Sequence, residues 1–184
     1  LRLFEWPTLR EVGTMKPGGS SPQPWSMDFT PDSQKLVLTS WNKRAEVWDV
    51  KTCRMISAFE GHGGLVTDVA VRLREPMIFA TTSTDGTLKL WDMTHTNEPC
   101  MLTIDRFQNW EVNSLQWSPN GRKLIAGDSV GNVQVWNMRY FNRHMGGNMQ
   151  YQLDRHRPSL PPDIPMEDIL DEMRVLNDRT RTGA

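Results

Sequence analysis

Two cysteines in 184 residues, Cys53 and Cys100, are too few for the disulfide framework of a small secreted domain. They stand in different stretches of the chain with no His/Cys cluster beside them. They are therefore read as free thiols of a reducing compartment, and no metal site is expected. Neither sign of charge is in excess. With 21 Lys and Arg against 22 Asp and Glu the formal net charge is −1, so no whole-molecule field favours nucleic acid or an anionic membrane. No apolar run approaches the roughly 18 residues of a membrane helix. Catalytic groupings are missing too. Gly18-Gly19 and Gly146-Gly147 lack the strand–loop–helix setting of a phosphate cradle. His144 and His156 read as solvated, as do Asp168 and Asp171 on a charged helical face, and no nucleophile, base and orienting group converge. The expectation is no catalytic residue and no cofactor.

What the chain does have is tryptophan at a fixed interval. Trp48, Trp91 and Trp136, 43 and 45 residues apart, close the phrases Ala-Glu-Val-Trp-Asp, Leu-Lys-Leu-Trp-Asp and Val-Gln-Val-Trp-Asn. A worn copy, Leu1-Arg-Leu-Phe-Glu5, opens the chain and places Phe4 44 residues before Trp48. Self-similarity at a period of about 40–45 residues ending in Trp-Asp marks a unit of four short strands that stacks on its neighbours.

The strands can be read within each unit from alternation and turn residues. In the middle repeat Leu65–Val71 alternates, Met77–Ser83 is rich in β-formers, and Asp85-Gly86 makes a hairpin turn into Thr87–Asp92. Met101–Ile104 is the outer strand. The first repeat reads Pro24–Phe29, Lys35–Ser40, Arg44–Asp49 and Cys53–Phe59, and the third Val112–Trp117, Lys123–Gly127 and Val133–Trp136. Tyr140-Phe141 or Met149–Leu153 is open as the last strand of the third.

The three phrases with their spacing make the chain similar to the WD-repeat β-propeller family over residues 1 to about 153. That resemblance implies an all-β fold: a propeller fragment of three full four-stranded blades (about 24–60, 64–105 and 111–153) after strands c and d of a preceding one (about 1–15). It also implies a hydrogen-bonded set of four side chains tying a blade together: His62 before strand a, Ser83 on strand b, Asp85 in the b–c turn and Trp91 on strand c. The first repeat has Ser40, Asn42 and Trp48 and no Gly-His. The third has Gln108, Asp128, Val130 and Trp136. The middle blade alone is expected to carry the full set and to be the most rigid. Three blades do not close a ring of about 4–8, and the missing ones are expected N-terminal in the same chain.

Past Leu153 the composition changes. Residues 154–162 form a proline-rich linker, and 163–184 a C-terminal amphipathic helix and tail, with Met166, Ile169, Leu170, Met173 and Leu176 on one face. The helix is expected to pack on its own propeller or in a partner's groove, with Ile169, Leu170 and Met173 as contact residues.

Superposing the repeats puts Trp25 beside Thr67 and Asn113, and Trp41 beside Thr84, where the family lines the rim of the central channel. Two tryptophans there would be an aromatic anchor for a partner. Leu65, Trp110, Glu111 and Ser129 are further rim candidates. The resemblance thus implies a non-enzymatic scaffold or adaptor in a large intracellular assembly, cytoplasmic or nuclear, bound to other protein subunits and to no small-molecule substrate. Val112–Val133, with its Asn-x-x-x-Trp strand and Gly-Asp-x-x-Gly turn, resembles the closing blade of dynein intermediate chains, which implies a cytoskeletal or ciliary subunit. Trp136-Asn-Met-Arg139 resembles the ending by which some propellers dock on cullin ubiquitin ligases, with Asn137 departing from the usual Asp. An RNA- or chromatin-associated subunit and a non-catalytic domain of a larger enzyme are the remaining alternatives.

Overall fold

The computed structural model describes residues 1–17, 23–75, 77–95, 99–105, 107 and 110–138. Thirteen strands and no helix are found there. β1 (Arg2–Glu5) and β2 (Arg10–Thr14) form an antiparallel pair. Next come two four-stranded meanders. The first is β3 (Pro24–Phe29), β4 (Lys35–Ser40), β5 (Arg44–Asp49) and β6 (Arg54–Glu60). The second is β7 (Val66–Val71), β8 (Ile78–Ser83), β9 (Leu88–Asp92) and β10 (Cys100–Ile104). β11 (Val112–Trp117), β12 (Lys123–Asp128) and β13 (Val133–Asn137) make the last sheet. These sheets are successive blades of an all-β propeller fragment. The strands proposed for residues 140–141 or 149–153 and the C-terminal helix lie outside the described residues.

Cross-strand register shows how alike the blades are. Trp48 stands opposite Leu36, Trp91 opposite Phe79 and Trp136 opposite Leu124. The innermost strands share a defect. Pairing slips between Pro24 and Met27 on β3, between Val66 and Asp68 on β7, and between Val112 and Ser114 on β11. Each slip fits one extra residue into the inner strand, a β-bulge at the same place in all three blades.

The core lies between the blades. Residues one and three before each tryptophan face the following blade: Ala45 and Val47 pack with Val69, Phe79 and Trp91, while Leu88 and Leu90 pack with Leu115, Leu124 and Trp136. Leu1 and Leu3 pack the same way on Leu36, Leu38 and Trp48. Burying each of the fully enclosed valines and leucines contributes about 1.5–3 kcal/mol. Phe59 of β6 meets Phe79 edge-on at 4.9 Å and Trp91 at 6.0 Å, so the outer strand of one blade enters the seam with the next.

Polar bonds cross the same seams near the inner strands. The Val71 amide donates to Asp28 Oδ2 at 2.8 Å, and the Leu115 amide to Asp68 Oδ2 at 2.8 Å. Ser26 Oγ donates to Asp68 Oδ1 at 2.6 Å and Thr67 Oγ1 to the Val112 carbonyl. Burial raises the Asp28 carboxyl above its ordinary value, partly opposed by the amide bonds of Val71 and Phe29. A carboxylate reaching from one inner strand to the next blade's backbone fixes the spacing of blades that share no β-ladder.

Candidate functional site

Two arrangements could carry function at the end of the blades where β7 begins and β8 ends: a polar set inside the second blade, and the rim outside it. The polar set runs as a chain. The Trp91 indole N–H donates to Thr81 Oγ1 at 2.7 Å, and Thr81 Oγ1 lies 2.7 Å from His62 Nε2. His62 Nδ1 lies 3.1 Å from Asp85 Oδ2. A neutral His62 satisfies every link: Nδ1–H donates to Asp85, and Nε2 accepts the Thr81 hydroxyl proton. Burial holds His62 below its ordinary value of 6.5, with Asp85 pulling the other way. Burial raises the Asp85 carboxyl, but hydrogen bonds from Thr87 and the Gly63 amide, with His62, outweigh it and bring it down to about 2.

The hydroxyl of this chain is Thr81 and not the expected Ser83. Phe79, Thr81 and Ser83 share one face of β8, and the indole opposite Phe79 reaches the next same-face position. Ser83 is two residues further on, about 7 Å along the strand. Its hydroxyl instead accepts the Asp85 amide at 3.1 Å and shapes the turn. Comparing repeats could not have exposed Thr81, because its register equivalents are Leu38 and Ala126.

The first blade solves the same problem differently. Its indole N–H, on Trp48, donates to Glu46 Oε2 at 3.1 Å. Glu46 is fully buried and its Oε1 takes Arg44 Nε at 3.0 Å, Arg44 Nη2 at 2.7 Å and Asn42 Nδ2 at 3.3 Å. The hydrogen bond to Glu46 raises the Arg44 guanidinium above its ordinary value and keeps it charged. Ser40 Oγ bonds Asn42 Oδ1 at 2.5 Å, so Ser40 again serves the turn and not the tryptophan. A readable signal did exist: Arg44, Glu46 and Trp48 alternate on one face of a strand, which places a carboxylate beside an indole.

Acidification tests the second blade's set. Asp85 titrates at about 2 in the folded protein against 3.8 unfolded, so its contribution is full above 3.8 and lost as pH falls through about 2. His62 is held below 6.5 when folded, so the unfolded chain takes the proton first and stability also declines below 6.5. Urea midpoints measured against pH should fall on the acid side, and Asp85→Asn should flatten the part between 3.8 and about 2.

On the rim, Trp25 and Trp41 meet. Their ring centroids are 5.9 Å apart with planes tilted by 41°, and they remain 58% and 42% exposed. Trp25 lies within the β3 bulge and Trp41 in the β4–β5 turn, where Lys43 adopts φ +62° and its Nζ donates to the Gly63 carbonyl of the second blade at 2.9 Å. The other rim candidates stand at the same end of the second and third blades. The Thr84 amide donates to Leu65 O at 2.9 Å, and the Ser129 amide to Glu111 O at 2.8 Å, in matching bonds. Trp110, Glu111 and Ser129 are exposed and Leu65 half-buried. Ile169, Leu170 and Met173 lie outside the described residues. Among the described residues no three His, Cys, Asp or Glu side chains group as metal ligands.

The blade geometry and the repeated Trp-Asp define a class. The chain belongs to the WD40 family (WD domain, G-beta repeat), whose sequence model matches residues 11–49, 53–92 and 99–137. Its relatives include the Polycomb protein EED of Chaetomium thermophilum, 26% identical over 66% of this chain and 22% of that protein. The small ribosomal subunit protein RACK1y of Oryza sativa subsp. japonica is 26% identical over 60% of this chain and 46% of that protein. The cytoplasmic dynein 1 intermediate chain of Drosophila melanogaster is 29% identical over 60% and 17%. The chain thus spans less than half the length of these relatives.

Proposed function

We propose that this chain is part of a non-enzymatic scaffold or adaptor subunit of an intracellular multiprotein complex, and that it grips another protein with the Trp25–Trp41 pair. The observation that carries this reading is the pair itself. Each of the three repeat tryptophans is buried, whereas these two are exposed, touch one another and, among the described residues, stand outside the buried clusters between blades. Large aromatic side chains held in contact at a surface supply binding energy at small entropic cost. A Polycomb protein, a ribosomal subunit protein and a dynein chain among the relatives agree with a role inside assemblies.

The partners of the end blades follow from what is uncovered. Val133 and Val135 are 68% and 56% exposed, while their register equivalents Leu88 and Leu90 are fully buried. Met27 and Phe29 are likewise exposed where Val69, Val71, Leu115 and Trp117 are buried. We assign these faces to further blades of the same ring, N-terminal in the full-length protein. The proline-rich 154–162 and the amphipathic sequence of 163–184 would follow the third blade as a second docking element.

Affinity purification of the full-length protein with mass spectrometry should return a stoichiometric set of protein subunits. Their identity separates a motor or ciliary complex from a ubiquitin ligase or a chromatin or RNA assembly. Trp25→Ala with Trp41→Ala should weaken the main partner by at least about 30-fold, the cost of losing one hot-spot residue, with the melting temperature unchanged. A protein that purifies alone and turns over a substrate would overthrow the scaffold reading. Undiminished binding by the double variant would remove the tryptophans from it.

A further inference from the structure

The turns at the opposite end of the blades, between strands a and b, are alike in two blades and different in the third. In the first blade the turn is Thr30-Pro-Asp-Ser33, with Thr30 Oγ1 donating to Asp32 Oδ1 at 2.6 Å and accepting the Lys35 amide at 2.9 Å. In the third it is Ser118-Pro-Asn-Gly121, with Ser118 Oγ donating to Asn120 Oδ1 at 2.8 Å and accepting the Lys123 amide at 2.8 Å. Both are closed, self-satisfied turns. The second blade runs Arg72-Leu-Arg-Glu-Pro-Met-Ile78 instead. Equivalent backbone bonds, Thr30 to Lys35, Ser118 to Lys123 and Arg72 to Ile78, show this loop to be one residue longer, with an arginine where the hydroxyl stands.

Arg72 turns inward. Its Nε donates to the Gly121 carbonyl at 3.0 Å and its Nη2 to the Met138 carbonyl at 3.2 Å, while Nη1 pairs with Glu75 at 3.2 Å. The guanidinium carbon lies 5.1 Å from the centre of the buried Trp117 ring. One cation therefore locks the loop onto the third blade and engages the loop's only carboxylate. Leu73 is left 47% exposed. Arg74 is exposed beside Gly121, where an added Cβ would sit 3.5 Å from the Arg74 Cβ, and exposed Arg122 follows directly. Among the described residues neither arginine has an ion-pair partner.

From this we infer that the exposed surface of Leu73, Arg74 and Arg122 is a docking surface for an acidic protein segment carrying a hydrophobic side chain. The repeat does not need this loop, since two blades close the same corner with four small residues. Two arginines without an ion-pair partner among the described residues make the electrostatic match to an acidic ligand, and the exposed Leu73 beside them takes an apolar anchor. Arg72 holds the platform in place before binding, which lowers the entropic cost of association. Nucleic acid fits less well. The cationic patch is small, and the aromatic ring that Arg72 covers, Trp117, is buried with no face for a base to stack on. The surface lies away from the tryptophan rim, so the two succeed or fail separately.

The test is fluorescence anisotropy on the full-length protein with a labelled peptide of sequence Glu-Asp-Glu-Leu-Glu-Asp-Glu. Parallel probes are the same peptide with serine for leucine and a mixed-sequence single-stranded RNA. The leucine peptide should bind, more weakly as salt rises. Arg74→Ala with Arg122→Ala should cost about 10-fold in affinity, and Leu73→Ser or the serine peptide about 5-fold. Trp25→Ala with Trp41→Ala should change nothing. These side chains are exposed, so melting should stay constant; Arg74→Gln with Arg122→Gln is the second pair should alanine disturb the fold. Absence of peptide binding, indifference to the arginine variants, or tighter binding of the RNA would each overturn the assignment.

Discussion

Thr81→Val should lower the stability of the full-length protein by about 3 kcal/mol, read as a shift of the urea midpoint at constant slope. Valine keeps the volume and the branching of threonine. What it removes is one oxygen that accepts from Trp91 Nε1 at 2.7 Å and serves His62 Nε2 at 2.7 Å. Trp91 is 1% and His62 8% exposed, so neither nitrogen finds water in exchange. An unpaired buried polar group costs roughly 1–3 kcal/mol, and here two are orphaned at once. Thr81→Ser keeps the oxygen and should cost less than about 1 kcal/mol. Ser83→Ala removes a single turn bond and should also stay near about 1 kcal/mol. Equal losses at Thr81 and Ser83 would show that the indole is not tied through Thr81.

The second large effect is at Glu46. Glu46→Ala leaves the Arg44 guanidinium without its buried carboxylate and Trp48 Nε1 without an acceptor, and should cost about 3 kcal/mol. Arg44 also contacts Glu60 at 3.6 Å, but Glu60 is exposed and gives little in exchange. Glu60→Ala alone should therefore fall within about 0.5 kcal/mol of the parent. The double variant Arg44→Leu with Glu46→Leu should recover most of the loss, because an apolar pair removes both charges together. If Glu46→Ala were as mild as Glu60→Ala, the first blade would not depend on this cluster. Asn42 belongs to the same cluster and its turn carries Trp41, so Glu46→Ala should also weaken binding at the rim.

The sites of these two effects show where the sequence was readable. Strand limits came from Asp85-Gly86 and from alternation, and agree with the structure to within a residue or two at β3, β4, β5 and β7 to β9. Both signals are local. The contact of Trp25 with Trp41 could also be anticipated, since both positions follow from laying one repeat over another. Thr81 and Glu46 could not be found that way, because the first two blades satisfy their indoles with different residues. Thr81 is replaced by leucine and alanine in the neighbouring blades, and Glu46 by Lys89 and Gln134. Choosing between Thr81 and Ser83 needed cross-strand register, which spacing along one chain does not contain. Arg72 hid for the same reason: its partners Gly121 and Met138 lie 49 and 66 residues away.

The bulge shared by β3, β7 and β11 acts like a phase step in a regular wave. Within it stand Trp25, Thr67 and Asn113; downstream, Met27, Val69 and Leu115 resume one common parity toward the preceding blade. The two sides are thereby uncoupled. A large indole, a hydroxyl or an amide can occupy the step with no change in which residues beyond it face inward. One scaffold can thus exchange its recognition chemistry blade by blade while the stacking that holds it together stays the same.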